Sequence, residues 1–307
     1  MTDILLRTGN LSFAYPERAG LFHRAALREV VKRVDLAVPR GSVLGLVGES
    51  GSGKTTLGRL LVRLLRPTSG GIQFDGVEIG DLDEAAMRPL RARIQMIFQD
   101  PQSSLNPRLR LGVTLTRPLK VYGRLKGRRD QRDRAAALLD LVGLPTAFID
   151  RYPHELSGGQ RQRAGIARAL ALEPDFIVAD EIVSGLDVST QAHILLLLRE
   201  LRARLGLTLV FISHDLSVVR VLCDDVAILH HGEIVEYGPV ARIFSSPRHA
   251  YTRQLLSAIP LPDVEPGWLD DSSPIVTPQQ QGSAAWPRPS RVLSFSSPGP
   301  AVRSRRR

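Results

Sequence analysis

The sequence has one cysteine, few aromatic residues and no long apolar run, and each of these absences excludes a class of protein. Its single cysteine, Cys223, cannot form an internal disulfide or supply a cysteine-built metal cluster. Aromatic residues make up only 5% of the chain, and the longest apolar run, Ile194 to Leu198, falls far short of the roughly 18 apolar residues of a membrane span. Met1 to Ile4 show no basic region leading into an apolar stretch, so we expect no secretory signal. These absences favour a soluble protein of a reducing compartment.

The net charge of +10 is compatible with nucleic acid, an anionic membrane surface or a basic composition bias. Arginines are spread along the chain, with clusters in residues 124–134 and 303–307. No nucleic-acid-reading motif accompanies this charge, so we expect no nucleic-acid partner.

Residues 48–55, Gly-Glu-Ser-Gly-Ser-Gly-Lys-Thr, match the phosphate-loop pattern G-x-x-x-x-G-K-[ST]. A buried strand is predicted before the loop, at 43–47, and a helix after it, from Thr55 to Leu65. Glycines let backbone N–H groups approach phosphate oxygens, Lys54 is expected to reach the β- and γ-phosphates, and the Thr55 hydroxyl to ligate Mg²⁺. The residues expected to bind nucleotide here are Gly48, Ser50, Gly51, Ser52, Gly53, Lys54, Thr55 and Thr56.

A second motif closes the apolar run Phe176 to Ala179, which is followed by Asp180 and Glu181. A carboxylate at the end of a buried strand can hold a magnesium-bound water, and the next carboxylate can act as general base or polarise an attacking water. An Asp-Glu pair is otherwise common on protein surfaces. The phosphate loop upstream favours the catalytic interpretation.

Between these motifs lies Leu156-Ser157-Gly158-Gly159-Gln160, and this order resembles the ATP-binding cassette (ABC) ATPases. The resemblance extends from about Leu11 to about Gly238. It implies a P-loop NTPase (RecA-like) α/β core with an N-terminal antiparallel β subdomain and an inserted helical signature subdomain. It also implies hydrolysis of ATP with Mg²⁺ by two cassettes that close on each other head to tail.

The resemblance gives further residues their expected roles. Gln99 senses the metal and joins Thr55 and Asp180 in holding Mg²⁺, partly through water. His214 contacts the γ-phosphate and orients Glu181, although a capping or core histidine is the structural alternative. The residues expected to act at the opposite subunit's ATP, or to link the two sites, are Ser157, Gly158, Gly159, Gln160 and Asp187.

One assignment concerns the base of the nucleotide. Tyr15 is the candidate for stacking on adenine, and Phe13 and Phe22 are its competitors.

The sequence also departs from the family pattern just after the catalytic pair. Ile182-Val183 replaces the usual Pro-Thr after the catalytic pair, and Gly185 stands where alanine is commoner. Both departures leave the carboxylates in place.

Three strings, in residues 104–108, 152–155 and 247–252, narrow the resemblance to dipeptide and oligopeptide importer ATPases, and the signature region is most similar to the second ATPase of such systems. This implies uptake of peptides or a similar small solute by an assembly of two integral-membrane permeases, a second cassette (a paralogue or a second copy) and an extracytoplasmic solute-binding protein. The chain would be peripheral, at the cytoplasmic face of the inner membrane. The alternative is a soluble cassette ATPase of a metabolic complex, such as one for carbon–phosphorus bond cleavage.

The domain organisation expected is one cassette over residues 1–260 and a tail over 261–307. Within the cassette we expect an α/β core at about 1–98 and 173–245, a helical subdomain at about 99–172 and a family extension at about 246–260. The tail has 8 Pro, 8 Ser and 3 Gly among its 47 residues, a composition that predicts disorder.

Overall fold

The computed structural model of the chain describes residues 3–16, 27–100 and 104–257. Phe22, a competitor of Tyr15 for adenine, and the tail over 261–307 lie outside the described residues.

Ten strands and nine helices are described in these ranges. In chain order they are β1 (Ile4–Pro16), β2 (Leu27–Pro39), β3 (Val43–Val47), α1 (Lys54–Leu61), β4 (Ser69–Phe74), β5 (Val77–Glu78), α2 (Glu84–Arg93), β6 (Ile94–Ile97), α3 (Leu111–Val121), α4 (Arg128–Leu141), α5 (Gly158–Leu170), β7 (Phe176–Asp180), α6 (Val188–Leu205), β8 (Thr208–Ile212), α7 (Leu216–Leu222), β9 (Asp225–His230), β10 (Glu233–Pro239), α8 (Val240–Ser245) and α9 (Ala250–Ser257). Two short 3₁₀ helices, Thr146–Asp150 and Pro153–Glu155, precede α5.

The strands form two sheets. One is antiparallel, in the order β2-β1-β4-β5, and the other has six strands in the order β10-β9-β3-β8-β7-β6. In the larger sheet every neighbouring pair is parallel except β9 and β10, which form an antiparallel hairpin. The carboxyl ends of β3, β6, β7 and β8 therefore lie along one edge, where an open α/β sheet places its ligands.

Two apolar cores lie on opposite faces of the larger sheet, and β7 shows how one strand supplies both. Phe176 and Val178 join the core that packs against α1 and the antiparallel sheet, whereas Ile177 and Ala179 join the core shared with the helices. Alternate residues of a strand point to opposite faces, so a strand covered on both sides is apolar throughout. All five residues of β3, β7 and β8 are buried.

The helices α3, α4 and α5 follow β6 and precede β7 along the chain. They pack against one another. Their buried faces include Leu115, Leu119, Leu138 and Leu139, which belong to one continuous apolar cluster. Among the described residues no helix combines the length and the hydropathy needed to cross a membrane.

The buried strands predicted at 43–47 and 176–179 are confirmed, the second with one further residue, Asp180. The helix predicted from Thr55 to Leu65 is too long, because it ends at Leu61. Arg63 takes a left-handed conformation, with φ of 56°, and its guanidinium donates to the carbonyls of Ile79 and Leu82. A residue with a left-handed backbone cannot continue a right-handed helix.

Candidate nucleotide site

The loop between β3 and α1 passes close to other backbone segments, and this closeness requires glycine at two positions. A Cβ on Gly48 would lie 2.1 Å from the Leu229 carbonyl oxygen, and one on Gly53 would lie 2.7 Å from the Val30 carbonyl oxygen. Gly53 also has φ of 107° and caps α1, which begins at Lys54. The loop is thus held between β2 and β9, with the amino end of α1 directed at its hollow.

Polar groups line this hollow. The Lys54 ammonium donates to the carbonyls of Gly48 (2.7 Å) and Glu49 (2.8 Å), so the loop curls around it. Burial lowers the pKa of Lys54, while the nearby carboxylates of Glu181 and Asp180 act against that shift. The buried Ser52 hydroxyl has no hydrogen-bond partner within the described part of the chain. An anionic ligand in the loop would pair with the Lys54 charge and accept a hydrogen bond from the Ser52 hydroxyl.

Thr55 and Asp180 meet across the gap between α1 and the end of β7. The Thr55 hydroxyl donates to Asp180 Oδ1 at 3.1 Å. Asp180 is 3% exposed, and burial raises the pKa of its carboxyl. Both groups offer hard oxygen atoms, which Mg²⁺ prefers, and the described residues contain no cluster of three or more His, Cys, Asp or Glu that would enclose an ion alone. Such a partial set fits a magnesium ion that completes its shell with phosphate oxygens and water.

Glu181 lies between two side chains from neighbouring strand ends. Gln99 Nε2, after β6, donates to Glu181 Oε2 at 2.9 Å, and His214 Nδ1, after β8, lies 3.6 Å from the same oxygen. The backbone of Glu181 is left-handed, with φ of 46°, and its N–H donates to the Ile212 carbonyl. Strained backbone of this kind is often found at functional sites because it fixes a side chain in one direction.

A small open cavity adjoins this carboxylate. Its lining comes from the loop after β7, the start of α6 and the loop after β8, and comprises Glu181, Val183, Ser184, Gly185, Gln191, Ser213, His214 and Asp215.

The signature residues form the start of α5. Ser157 is its N-cap, and a reciprocal capping box joins Ser157 to Gln160: the Gln160 N–H donates to Ser157 Oγ (3.3 Å), and the Ser157 N–H donates to Gln160 Oε1 (3.0 Å). Ser157 is exposed, and Gly158, Gly159 and Gln160 are half-buried. A capped helix start with an exposed serine presents backbone N–H groups and the positive end of the helix dipole to solvent.

Asp187 fixes the start of α6 beside the signature. Its carboxylate accepts from the Ser189 hydroxyl and from both the N–H and the hydroxyl of Thr190. These hydrogen bonds hold the pKa of the Asp187 carboxyl well below its usual range, and the bond from the Ser189 hydroxyl contributes most. Gly159 packs against the same threonine, because a Cβ there would lie 2.5 Å from Thr190 Cγ2.

The structure therefore brings together Lys54, Thr55, Gln99, Asp180, Glu181 and His214, which we call the hydrolytic cluster. It assembles a second group, Ser157, Gly158, Gly159, Gln160 and Asp187, which we call the signature cluster. Tyr15 lies apart from these contacts in β1, 37% exposed, with its ring edge-on to Phe13 at 4.7 Å. Its stacking on adenine remains a prediction.

One contact at the loop was not predicted from the sequence. The Glu49 N–H donates to the phenol oxygen of Tyr251, in α9, at 3.0 Å. The sequence had marked Tyr251 only as part of a family string. The two residues are 202 positions apart, so no local pattern relates them.

Two family models match the chain. Residues 31–184 match the model described as ABC transporter, and residues 235–284 match the model of the oligopeptide/dipeptide transporter C-terminal region. A Brucella ovis protein named as a peptide import ATP-binding protein is 53% identical over 240 residues, which are 78% of this chain and 75% of that protein. A Brucella abortus protein of the same description is 51% identical over 260 residues, 84% of this chain and 76% of that protein.

Solved structures agree with these matches. A dimeric ATP-binding cassette in a post-hydrolysis state, bound to ADP and phosphate, aligns with a TM-score of 0.67 at 30% identity, covering 76% of this chain and 98% of that one. The cbiO1 component of an ABC transporter complex from Clostridium perfringens aligns with a TM-score of 0.68 at 27% identity, covering 80% and 92%.

Proposed function

This chain belongs to the ABC ATPases, among the ATP-binding subunits of oligopeptide and dipeptide transporters, and we propose that it hydrolyses ATP in a head-to-tail pair of cassettes to drive peptide import through partner permeases. The observation that carries this proposal is the arrangement of Gln99, Glu181 and His214 beside the phosphate loop. The expected fold, ATP hydrolysis and transport class are confirmed by the comparisons. The residue roles below are our assignment.

The phosphate loop binds the triphosphate. Lys54 exchanges its two carbonyl partners for β- and γ-phosphate oxygens, and the N–H groups at the start of α1 complete the cradle. Thr55, Asp180 and Gln99 would hold Mg²⁺, Asp180 and Gln99 partly through water. When bound, that ion supplies positive charge at the β- and γ-phosphates.

Glu181 directs the attacking water. Its carboxylate receives the Gln99 amide on one side and faces His214 on the other, so it is aimed before the substrate arrives. It accepts or polarises a proton of the water as the γ-phosphorus is attacked in line, while His214 contacts the γ-phosphate. The bond between the γ-phosphorus and the β–γ bridging oxygen breaks, and ADP leaves with its electron pair. Chemistry then depends on placing a γ-phosphate between Lys54 and Glu181.

The signature cluster serves the ATP of the opposite cassette. Its exposed, capped helix start is suited to a γ-phosphate supplied from outside the chain. The similar cassette bound to ADP and phosphate was solved as a dimer, which supports a pair of cassettes here. The loop from Glu181 to Asp187 then connects two sites: Glu181 acts on the ATP bound by this chain, and the signature beside Asp187 acts on the ATP bound by the opposite cassette.

The remaining partners follow from the transporter class. We propose two integral-membrane permeases, a second cassette that is a paralogue or a second copy, and an extracytoplasmic solute-binding protein, with this chain peripheral at the cytoplasmic face of the inner membrane. We propose peptides as the transported solute because the similar proteins are named for peptide import. The helical segment between β6 and β7, about residues 99–172, would transmit closure to the permeases, and residues 1–260 would form the cassette.

A pull-down tests the proposed assembly. The tagged chain is recovered from gently solubilised membranes, and the copurifying chains are identified by mass spectrometry. The expected result is two multi-span permeases, a second cassette and a solute-binding protein, and the ligand of that last protein would name the cargo. Recovery only with soluble enzymes would overturn the transporter assignment and leave the ATPase assignment standing.

A further inference from the structure

The C-terminal helix α9 contacts the phosphate loop through one side chain. Tyr251 is 6% exposed, and its phenol oxygen accepts the Glu49 N–H at 3.0 Å. The carbonyl of the same residue, Glu49, accepts the Lys54 ammonium at 2.8 Å. Both polar groups of the Glu49 backbone are therefore engaged, the N–H by the C-terminal helix and the carbonyl by the lysine that is to grip the phosphates.

The tyrosine ring is itself firmly placed. It stacks on the His230 ring at the end of β9, with ring centroids 3.8 Å apart and planes inclined by 33°. His249 Nδ1 accepts the Tyr251 N–H at 3.2 Å, which caps the first turn of α9. The ring of Tyr251 is thus contacted on its face, and its backbone N–H is paired as well.

The segment before α9 is fixed by a buried carboxylate. Glu236, in β10, accepts the N–H groups of Arg248 (3.0 Å) and His249 (3.1 Å). Burial alone would raise the pKa of Glu236, but these N–H groups together with Thr252 and Arg242 hold that pKa below its ordinary value. Glu236 thus remains an anion that anchors the His249–Tyr251 turn to the core sheet.

We propose that Tyr251 is a positioning residue for ATP binding: through the Glu49 N–H it holds the first turn of the phosphate loop in the shape that receives the triphosphate. The histidine and tyrosine of the 247–252 string then have separate tasks, His249 capping the helix and Tyr251 supporting the loop. The inference rests on the proposed binding of ATP at this loop, and it adds to the site a residue that touches no phosphate.

The test compares Tyr251→Phe with wild type in the full-length chain, using ATP affinity measured by calorimetry with Mg²⁺ present. The substitution keeps the ring and its stack on His230 and removes only the acceptor. We expect ATP affinity to fall by about 3- to 10-fold, the range for loss of one hydrogen bond. In the assembled transporter the same variant should raise KM for ATP by a similar factor with kcat nearly unchanged, because the loop binds ground state and transition state alike.

Tyr237→Phe is the matched control. Its hydroxyl also makes one hydrogen bond to the backbone, here as the donor to the Ala37 carbonyl at 3.0 Å, between β10 and β2 and not at the phosphate loop. Amide hydrogen exchange of the peptide containing Glu49 supplies a readout independent of affinity, and it should speed up in Tyr251→Phe and stay unchanged in Tyr237→Phe.

Equal ATP affinity in Tyr251→Phe and wild type would overturn the inference. So would an equal loss in both variants, since that would be a general effect on stability. Failure of wild type itself to bind ATP would instead contradict the proposed function.

Discussion

The hydrolytic cluster and the signature cluster are built in different ways. The hydrolytic cluster draws its side chains from the ends of β6, β7 and β8 and from α1, and hydrogen bonds join these separate segments. The signature cluster is held by short-range caps, Ser157 with Gln160 and Asp187 with Thr190, and its serine is exposed. All the side chains of the first cluster come from different segments of one chain. The second is an exposed, capped helix start, and under the proposed function it acts on a phosphate bound by another chain.

The largest effect that separates the clusters is expected from Glu181→Gln. The amide cannot act as a base, so ATP hydrolysis at the site that contains this residue should fall by about 10³-fold while ATP binding is retained. Phosphate release measures this. Glu200→Gln, which removes an exposed carboxylate from α6, is the control and should keep the wild-type rate. A Glu181→Gln assembly that hydrolyses ATP at full rate in both sites would end the role assigned to Glu181.

Ser157→Ala tests the signature cluster in the same assay. ATP affinity of the chain alone should not change, because the chain's own triphosphate lies at the other cluster. Hydrolysis at the site that borrows this signature should fall by about 10²-fold, as when one positioned donor is removed from a transition state. Asp83→Ala removes an equivalent cap, from α2, and controls for lost helix stability. Weakened ATP binding by isolated Ser157→Ala, with Asp83→Ala unaffected, would contradict the division of labour.

Two glycines of α5 give a stability test with an internal control. Gly159→Ala places a methyl group 2.5 Å from Thr190 Cγ2, and Thr190 cannot rotate without losing its bond to Asp187. We expect the free energy of unfolding to fall by about 1 kcal/mol. Gly165→Ala meets no atom within 4 Å and should raise it by about 1 kcal/mol. Denaturant titration of both variants would show the difference, and equal stabilities would mean that the signature does not pack on α6 as described.

The smallest effect concerns the stability that the protein loses by burying the charged carboxylate of Asp180. Because the pKa of Asp180 is raised on folding, its charge destabilises the free protein above that pKa, and the penalty disappears as the pH falls toward the unfolded value. Asp180→Asn should therefore raise the melting temperature at pH 7, because it removes the charge whose burial is unfavourable. Thermal scans with magnesium chelated should show this gain fading between pH 7 and pH 4. A lower melting temperature at pH 7 would contradict it.

Sequence patterns predicted the local part of this site well. Strand, phosphate loop and helix follow one another within 43–61, so periodicity and glycines were enough to place them. The error at the end of α1 came from the left-handed Arg63, whose side chain donates to the Ile79 carbonyl in a different segment.

The assembled part could not be predicted from local patterns. Gln99, Glu181 and His214 meet because β6, β7 and β8 are neighbours, and strand order is a long-range property that only the family resemblance suggested. The Tyr251 contact with Glu49 depends in addition on where α9 docks on the core sheet. It became visible only with the three-dimensional structure.

The central claim, that one chain's phosphate loop and another chain's signature enclose each ATP, is tested most directly by mass. Light scattering of the Glu181→Gln chain, alone and with the second cassette of its transport system, is compared with and without ATP and Mg²⁺. We expect the mass to double to that of a cassette pair on addition of ATP in one of these two samples, and not when Ser157→Arg is also present. ATP-bound chains that remain monomeric in both samples would contradict the account.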